Sequence, residues 1–320
     1  MGSLLIHIGY NKTGSTWLQE ALFPRKDLGF LSFLELEDRE RIYRSLVRQH
    51  PLTFDGVDIL GYYNEKISLA ENSGLLPVFS NERFSGDPHS AGYDTKEIAD
   101  KLYQLFPDSR VVIVVREQQS MLLSTYRQYV RAGGPRSLRG YFHPPERGSR
   151  RVPMFDPEYF EYDHLVAYYQ ALFGKENVLV LPYEWLRIKP LDYVQKLLQF
   201  CDIKIDSQVL QALPFQQKVN RGYGRLTLSW KRQYNRFFLD NGLNPGAIWD
   251  LPYSFERKLV RIWSRLDDLL PKSWQQSAAR KMKRYIAQQT KGKYAESNRR
   301  LEVLTGLSLR ELDYELPHID

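Results

Sequence analysis

The chain has one cysteine, Cys201, in 320 residues. An intrachain disulfide is therefore excluded, and so is a zinc site built on cysteine pairs. Such cysteine usage suits a reducing compartment. Long apolar runs are missing too: nothing approaches the roughly 18 consecutive residues a membrane-crossing helix needs. The N-terminus has no basic stretch followed by an apolar one, and Ile6 stands where a myristoylation signal needs Ser or Thr. The expectation is a soluble, cytoplasmic protein without a transmembrane segment. The six histidines form neither a His-Glu-x-x-His pattern nor a Cys/His cluster, so no metal is expected. Helix-turn-helix and RNA-binding signatures are absent, which makes nucleic acid a poor partner. Acidic residues are fewer than basic ones, and the net charge of +7 points weakly to anionic ligands.

Apolar residues make up 42% and charged residues 26%, ordinary values for a globular protein. No repeat, low-complexity segment or linker interrupts the chain, so residues 1–320 are expected to form a single domain. Four apolar runs read as strands: Leu4 to Ile8, Leu75 to Phe79, Val111 to Val115 and Val178 to Leu181. Each is apolar throughout, as strands covered on both faces are. Helical segments separate them, which predicts an α/β fold of three layers, a central parallel sheet with helices on both faces. Between 20 and 70 the helices are expected to break at Pro24, Pro51 and Gly61. A helix carrying Ser120 and Ser124 should stop at Gly133-Gly134-Pro135. An arginine-rich loop is expected from Arg136 to Pro153, then a helix from about Pro157 to Phe173 with Gly174 after it. Pro190 should open another helix. From about 225 onward the chain reads as mostly helical, ending in Ala295 to Leu304 with Gly306 as its cap.

The most informative stretch is Leu4 to Leu18. A β-prone run turns through Gly9 to Gly14 and continues into Trp17 and Leu18 at helical spacing. Strand, short loop and helix in that order aim backbone N–H groups at one point, which makes a phosphate cradle. The two glycines have the spacing of the nucleotide-triphosphate loop. Ser15-Thr16 stand where that loop has its Lys-Ser/Thr, and the lysine sits inside the loop as Lys12. The P-loop-like cradle is kept and the Mg-triphosphate signature is not.

Tyr10-x-Lys12-Thr13-Gly14-Ser15-Thr16-Trp17 resembles the 5′-phosphosulfate loop of sulfotransferases that use 3′-phosphoadenosine 5′-phosphosulfate (PAPS). The resemblance implies that Lys12, Thr13, Gly14, Ser15 and Thr16 hold the 5′ side of the nucleotide and that Trp17 stacks on adenine. Arg116 directly follows the third apolar run, and Ser124 lies eight residues further on. That pair is similar to the family's 3′-phosphate site, although Glu117-Gln118 replaces the usual proline segment. Val178 to Leu186, followed by Lys189-Pro190, looks like the family's strand-Tyr-Glu-x-Leu segment, which carries the adenine contact to Tyr183. Asn220 and Arg221 occupy the place of a later basic loop that completes the 3′-phosphate site, though the usual Arg-Lys-Gly form is absent. Tyr294 to Leu301 is similar to the tails of bacterial members.

Transfer to a hydroxyl needs a proton acceptor. Glu82 follows the second apolar run and should emerge beside Lys12; family members use a histidine or glutamate after a comparable strand. Glu82 is the expected base, with His89 next, and an ion pair between Glu82 and Arg83 is the structural alternative. Lys12, Glu82 and Ser124 form the expected catalytic set. The resemblance implies PAPS as cosubstrate, no metal, and a hydroxyl-bearing acceptor. Arg131, Arg136, Arg139, Arg147, Arg150 and Arg151, with Glu146 the one acid among them up to Phe155, suggest a loop that grips an anionic acceptor such as an acidic or sulfated glycan; the alternative is a solvated loop whose charge only aids solubility. Two competitors stay open: a small-molecule kinase of similar topology, and a non-catalytic nucleotide-binding module. The kinase wants an acid where Arg116 stands. The module needs neither Lys12 nor a base.

Overall fold

The structure is a computed structural model describing residues 4–10, 12–33, 35–144, 153–216, 223–238, 242–244, 249 and 253–318. Its centre is a parallel sheet of five strands: β1 (Leu5–Gly9), β2 (Phe30–Ser32), β3 (Leu76–Ser80), β4 (Arg110–Val115) and β5 (Val178–Pro182). Their order is β2-β3-β1-β4-β5, with Leu5 opposite Val78 on one side and Arg110 on the other. The chain leaves β1 toward β3 and leaves β4 toward β5. The carboxyl ends of β1 and β4 therefore flank the switch point where open α/β sheets bind ligands.

The two-sided burial behind these strands is visible residue by residue. Leu5 of β1 and Val112 and Val114 of β4 join one apolar cluster; Ile6, Ile8, Val111, Ile113 and Val115 join the other. Side chains alternate across a strand, so covering both faces favours apolar residues at nearly every position, with His7 and Ser80 as buried polar exceptions. Against the first face pack α1 (Ser15–Trp17, continuing as a π turn over Leu18–Leu22) and, further along the chain, the residues around Tyr193 and Leu197. In chain order the remaining helices are α2 (Leu36–Ile42), α3 (Val57–Asn72), α4 (Thr95–Leu105), α5 (Gln118–Arg131), α6 (Leu138–Phe142) and α7 (Tyr162–Phe173). They continue with α8 (Tyr183–Ile188), α9 (Pro190–Phe200), α10 (Ser207–Gln211), α11 (Arg225–Phe238), α12 (Tyr253–Leu269), α13 (Lys272–Gln289) and α14 (Ala295–Thr305). Residues of α3, α4, α5, α7 and α14 cover the second face.

Three expectations need correction. Strand β2 was not foreseen, because three residues on a sheet edge, two of them only half-buried, leave no apolar run to read. Gly61 does not break a helix: α3 runs through it, and a Cβ there would meet nothing. A lone glycine costs a helix only about 1 kcal/mol. The stretch from Arg136 is not all loop, since Ser137 caps α6 by accepting from Gly140 N at 3.2 Å while Tyr141 and Phe142 are buried.

His7 in β1 is fully buried, with Nδ1 2.7 Å from Ser80 Oγ and Nε2 unpartnered. Burial pulls its pKa from 6.5 to about 3. Below pH 6.5 the unfolded chain takes up a proton that the folded chain refuses, so stability falls as pH falls toward 3. The slope reaches ~1.4 kcal/mol per pH unit for one such group. His89, pulled to about 4, adds a similar slope. Denaturant unfolding of His7→Gln should therefore show a shallower acid slope than the unsubstituted chain, with the His89 share remaining. An unchanged slope would mean that His7 is not held neutral.

Candidate active site

The loop after β1 is built on close approach. A Cβ at Gly9 would lie 2.4 Å from Ser15 Oγ and 3.1 Å from Thr13 Oγ1. Thr13 Oγ1 donates to Tyr10 O at 2.6 Å, and Trp17 N donates to Gly14 O at 2.9 Å. Gly14 turns at φ +87°, where a side chain would also press on the Tyr183 ring. Lys12 takes φ +76° without being glycine. A left-handed backbone costs an ordinary residue about 1–2 kcal/mol, so something must hold it.

Arg116 does. Its Nη1 donates to Lys12 O at 2.9 Å and its Nε to Ser120 Oγ at 3.0 Å, with the guanidinium 4.9 Å from the Tyr183 ring centre. Arg116 sits there because β4 ends one residue before it and Glu117 starts α5. Both Glu117 carboxylate oxygens accept from that helix's first N–H groups, Gln119 N at 2.6 Å and Ser120 N at 2.8 Å. Sequence analysis set Arg116 and Ser124 around one phosphate; within the protein Arg116 bonds Ser120, one turn before Ser124. Ser124 is half-buried on the next turn of the same face.

Glu82 opens the turn after β3, where Asn81 accepts from Arg83 N at 2.9 Å. Burial raises the Glu82 pKa, opposed by the Lys12 charge, Ser15 and Arg39. Burial lowers the Lys12 pKa, opposed by Glu82 and reinforced by Arg131. Ser15 Oγ makes no hydrogen bond of ordinary length yet lies near enough to favour the charged carboxylate. The ion pair anticipated for Glu82 goes elsewhere: Arg83 bonds Asp94, with Asp87 at 4.0 Å. His89 is occupied, its Nδ1 2.8 Å from the Tyr141 hydroxyl.

Trp17 is 6% exposed, stacked on Phe215 at 5.4 Å with its N–H on Pro214 O at 3.1 Å. Any nucleotide contact falls to its other face. Asn220 and Arg221, like Arg147, Arg150 and Arg151, lie outside the described residues.

One feature escaped sequence reasoning. Ser120, Ser124, Arg127 and Arg131 are spaced four, three and four apart, one face of α5. Among the described residues, the buried Nε of Arg127 has no hydrogen-bond partner. Burial and the neighbouring Arg116 lower its pKa. Arg131 rests over Tyr223 at 5.8 Å, close enough to depress the Lys12 pKa. The helical period was the available signal. Three guanidinium groups and Lys12 thus converge near the cradle, an arrangement suited to a multiply charged anion.

Residues 4–219 match the model of the sulfotransferase domain family, two thirds of the chain. The chain belongs to that family, and its activity class is the transfer of sulfuryl groups. The chain is similar in structure to a sulfotransferase from Alicyclobacillus acidocaldarius (17% identity, TM-score 0.47, covering 69% of this chain and 87% of that one). It is also similar to the sulfotransferase domain from the curacin biosynthetic pathway (15%, TM-score 0.40, 99% of each chain). Mouse sulfotransferase SULT7A1 complexed with PAP is a third (13%, TM-score 0.39, 65% of this chain and 62% of that one). At these identities the likenesses assign no residue roles. No curated protein matches the chain significantly.

An unpaired, half-buried guanidinium beside another is destabilising until an anion arrives. Arg127→Met should therefore raise the ligand-free stability by ~1 kcal/mol, roughly 2–4 °C in melting temperature. A lower melting temperature would show a structural partner for Arg127.

Proposed function

We propose that the protein moves the sulfuryl group of PAPS to an acceptor hydroxyl. The observation carrying this reading is the half-buried Lys12, held in the cradle loop by Arg116 and close enough to Glu82 for the two charges to support each other. The loop N–H groups from Thr13 to Thr16 take the 5′-phosphosulfate, while Arg116, Ser124 and Arg127 take the 3′-phosphate. Tyr183 and Trp17 border the adenine. Asn220 and Arg221 would complete the phosphate site.

Glu82 accepts the acceptor's proton as its oxygen bonds to sulfur and the bond from sulfur to the bridging phosphate oxygen breaks. Lys12 neutralises the charge that develops on that oxygen. An in-line path would have Glu82 behind the attacking oxygen and Lys12 at the departing one. The reaction proceeds through the protein's own cations and carboxylate, with no metal invoked in the scheme. The Arg131–Arg136–Arg139 run favours an acceptor that is itself anionic, such as an acidic glycan. Arg116 at the end of β4 weighs against a Mg-dependent kinase, which wants an acid there.

Calorimetry with 3′,5′-bisphosphoadenosine and 5′-AMP tests the donor assignment. Loss of one phosphate should cost about 2–4 kcal/mol; equal affinities would remove the 3′-phosphate site. Lys12→Ala should lower turnover roughly 10²–10³-fold, with a smaller loss of donor affinity.

Glu82→Gln tests the base. Turnover should fall about 10²–10⁴-fold, the range for general acid–base help. Because burial raises the Glu82 pKa, the acidic limb of the rate profile should lie above the usual carboxylate range and vanish in the variant. A Glu82→Gln enzyme that keeps that limb would take Glu82 out of the mechanism.

A further inference from the structure

The segment 225–289 holds thirteen Lys and Arg against five Asp and Glu. Its net charge of +8 exceeds the +7 of the whole chain, so all other residues together are nearly neutral. This segment lies beyond the family match and comprises α11, α12 and α13.

The inner side of the α11–α12 hairpin is well packed. Lys231 Nζ and Glu256 Oε1 form a buried pair at 2.6 Å, and Trp230 stacks on Trp263 at 5.8 Å. Asp267 accepts from Leu226 N and Thr227 N, both at 2.8 Å, holding the start of α11 to the end of α12. The outer side of α12 has no such filling. Phe255, Ile262, Leu266 and Leu269 recur at seven, four and three residues, a single stripe, and all are exposed, Leu269 by 81%. Trp274, 59% exposed, opens α13, and Phe237 and Trp249 are exposed at the hairpin's other end. Lys258, Arg261 and Arg265, all exposed, run alongside the stripe, and Arg280, Lys281, Lys283 and Arg284 are exposed on α13.

We propose that this face docks on an anionic lipid bilayer surface. Aromatic and aliphatic side chains bordered by cations match a boundary where acidic headgroups meet acyl chains. Each feature excludes a different competitor. A second copy of the chain would bring Lys258, Arg261 and Arg265 against cations of its own kind. A soluble polyanion would engage the cations but leave Ile262, Leu266 and Leu269 in water. No helix of the described residues is long and apolar enough to cross a membrane, so the protein would lie on the bilayer. Docking is independent of the reaction proposed above and places the enzyme near acceptors carried on that surface.

The test is co-sedimentation of the full chain with phosphatidylcholine vesicles, with and without phosphatidylglycerol. Binding should be at least tenfold stronger to the anionic vesicles and weaken with added salt. Leu266→Ser with Leu269→Ser, and separately Lys258→Glu with Arg265→Glu, should each lower binding roughly tenfold at unchanged melting temperature. Equal binding to both vesicle types, no binding, or indifference to both double variants would overturn the proposal. So would a dimer by light scattering that the leucine variant dissociates while vesicles bind neither form.

Discussion

The hydrogen bond from Arg116 to the Lys12 carbonyl is the contact on which the rest of the site depends. It joins the loops after β1 and β4 across the sheet's switch point and holds Lys12 in a backbone conformation the residue would not choose. Arg116 is itself secured from several directions. Its carbonyl accepts from Tyr162 of α7 at 2.7 Å, and its Nε reaches Ser120, whose hydroxyl donates to Glu117 O at 3.0 Å. Glu117 N donates to Glu184 Oε1 at 3.1 Å, and Tyr314 donates to the other oxygen at 3.2 Å. The position of one loop lysine is thus set by β1, β4, α7, α8 and a residue near the end of the chain. Low-dielectric networks of this kind hold their members in single rotamers.

That framework holds a charge imbalance. Lys12 stands near Glu82, whose own charged form burial disfavours, and Arg127 stands near Arg116, a second cation. Evolution toward maximal stability would have placed an acid beside Arg127. No acid among the described residues pairs with it, which agrees with the anion site proposed above, since an internal acid would compete with a ligand for the same guanidinium. Elsewhere among the described residues several ions are paired: Arg83 with Asp94, Arg300 with Asp163 at 2.5 Å, Lys101 with Glu97 at 2.5 Å.

Much of the sheet was legible because two-sided burial leaves an unbroken apolar run, as in Val111 to Val115. The cradle was legible because Gly9 and Gly14 serve steric needs that no other residue meets. Edge strand β2 was not, since a strand of three residues carries too little apolar pattern to detect. The partner of Arg83 was equally hidden: Asp94 lies eleven residues on, and a short turn, not a helical spacing, brings it back. Arg127 was passed over because a cation on a helix normally faces water, and only its buried Nε shows that this one does not.

The portion of the chain after the family match divides into two kinds of structure by the same physical criterion. Residues of α14 and beyond are tied to the sulfotransferase core through buried polar contacts. Asn298 and Gln118 bond side chain to side chain at 2.6 Å, Ser297 bonds Asp163, and Tyr314 reaches Glu184. Buried polar groups left without partners cost about 1–3 kcal/mol each, so these residues are as much part of the site's support as β4 is. The α11–α13 segment is anchored as well, Asn235 donating to Val130 O at 2.8 Å and Gly134 O at 3.0 Å at the end of α5. Yet its anchoring uses only the inner face, while the outer face keeps large apolar side chains in water at a free-energy cost that folding alone does not offset. The same helices therefore link the cationic end of α5 to an exposed basic and apolar surface.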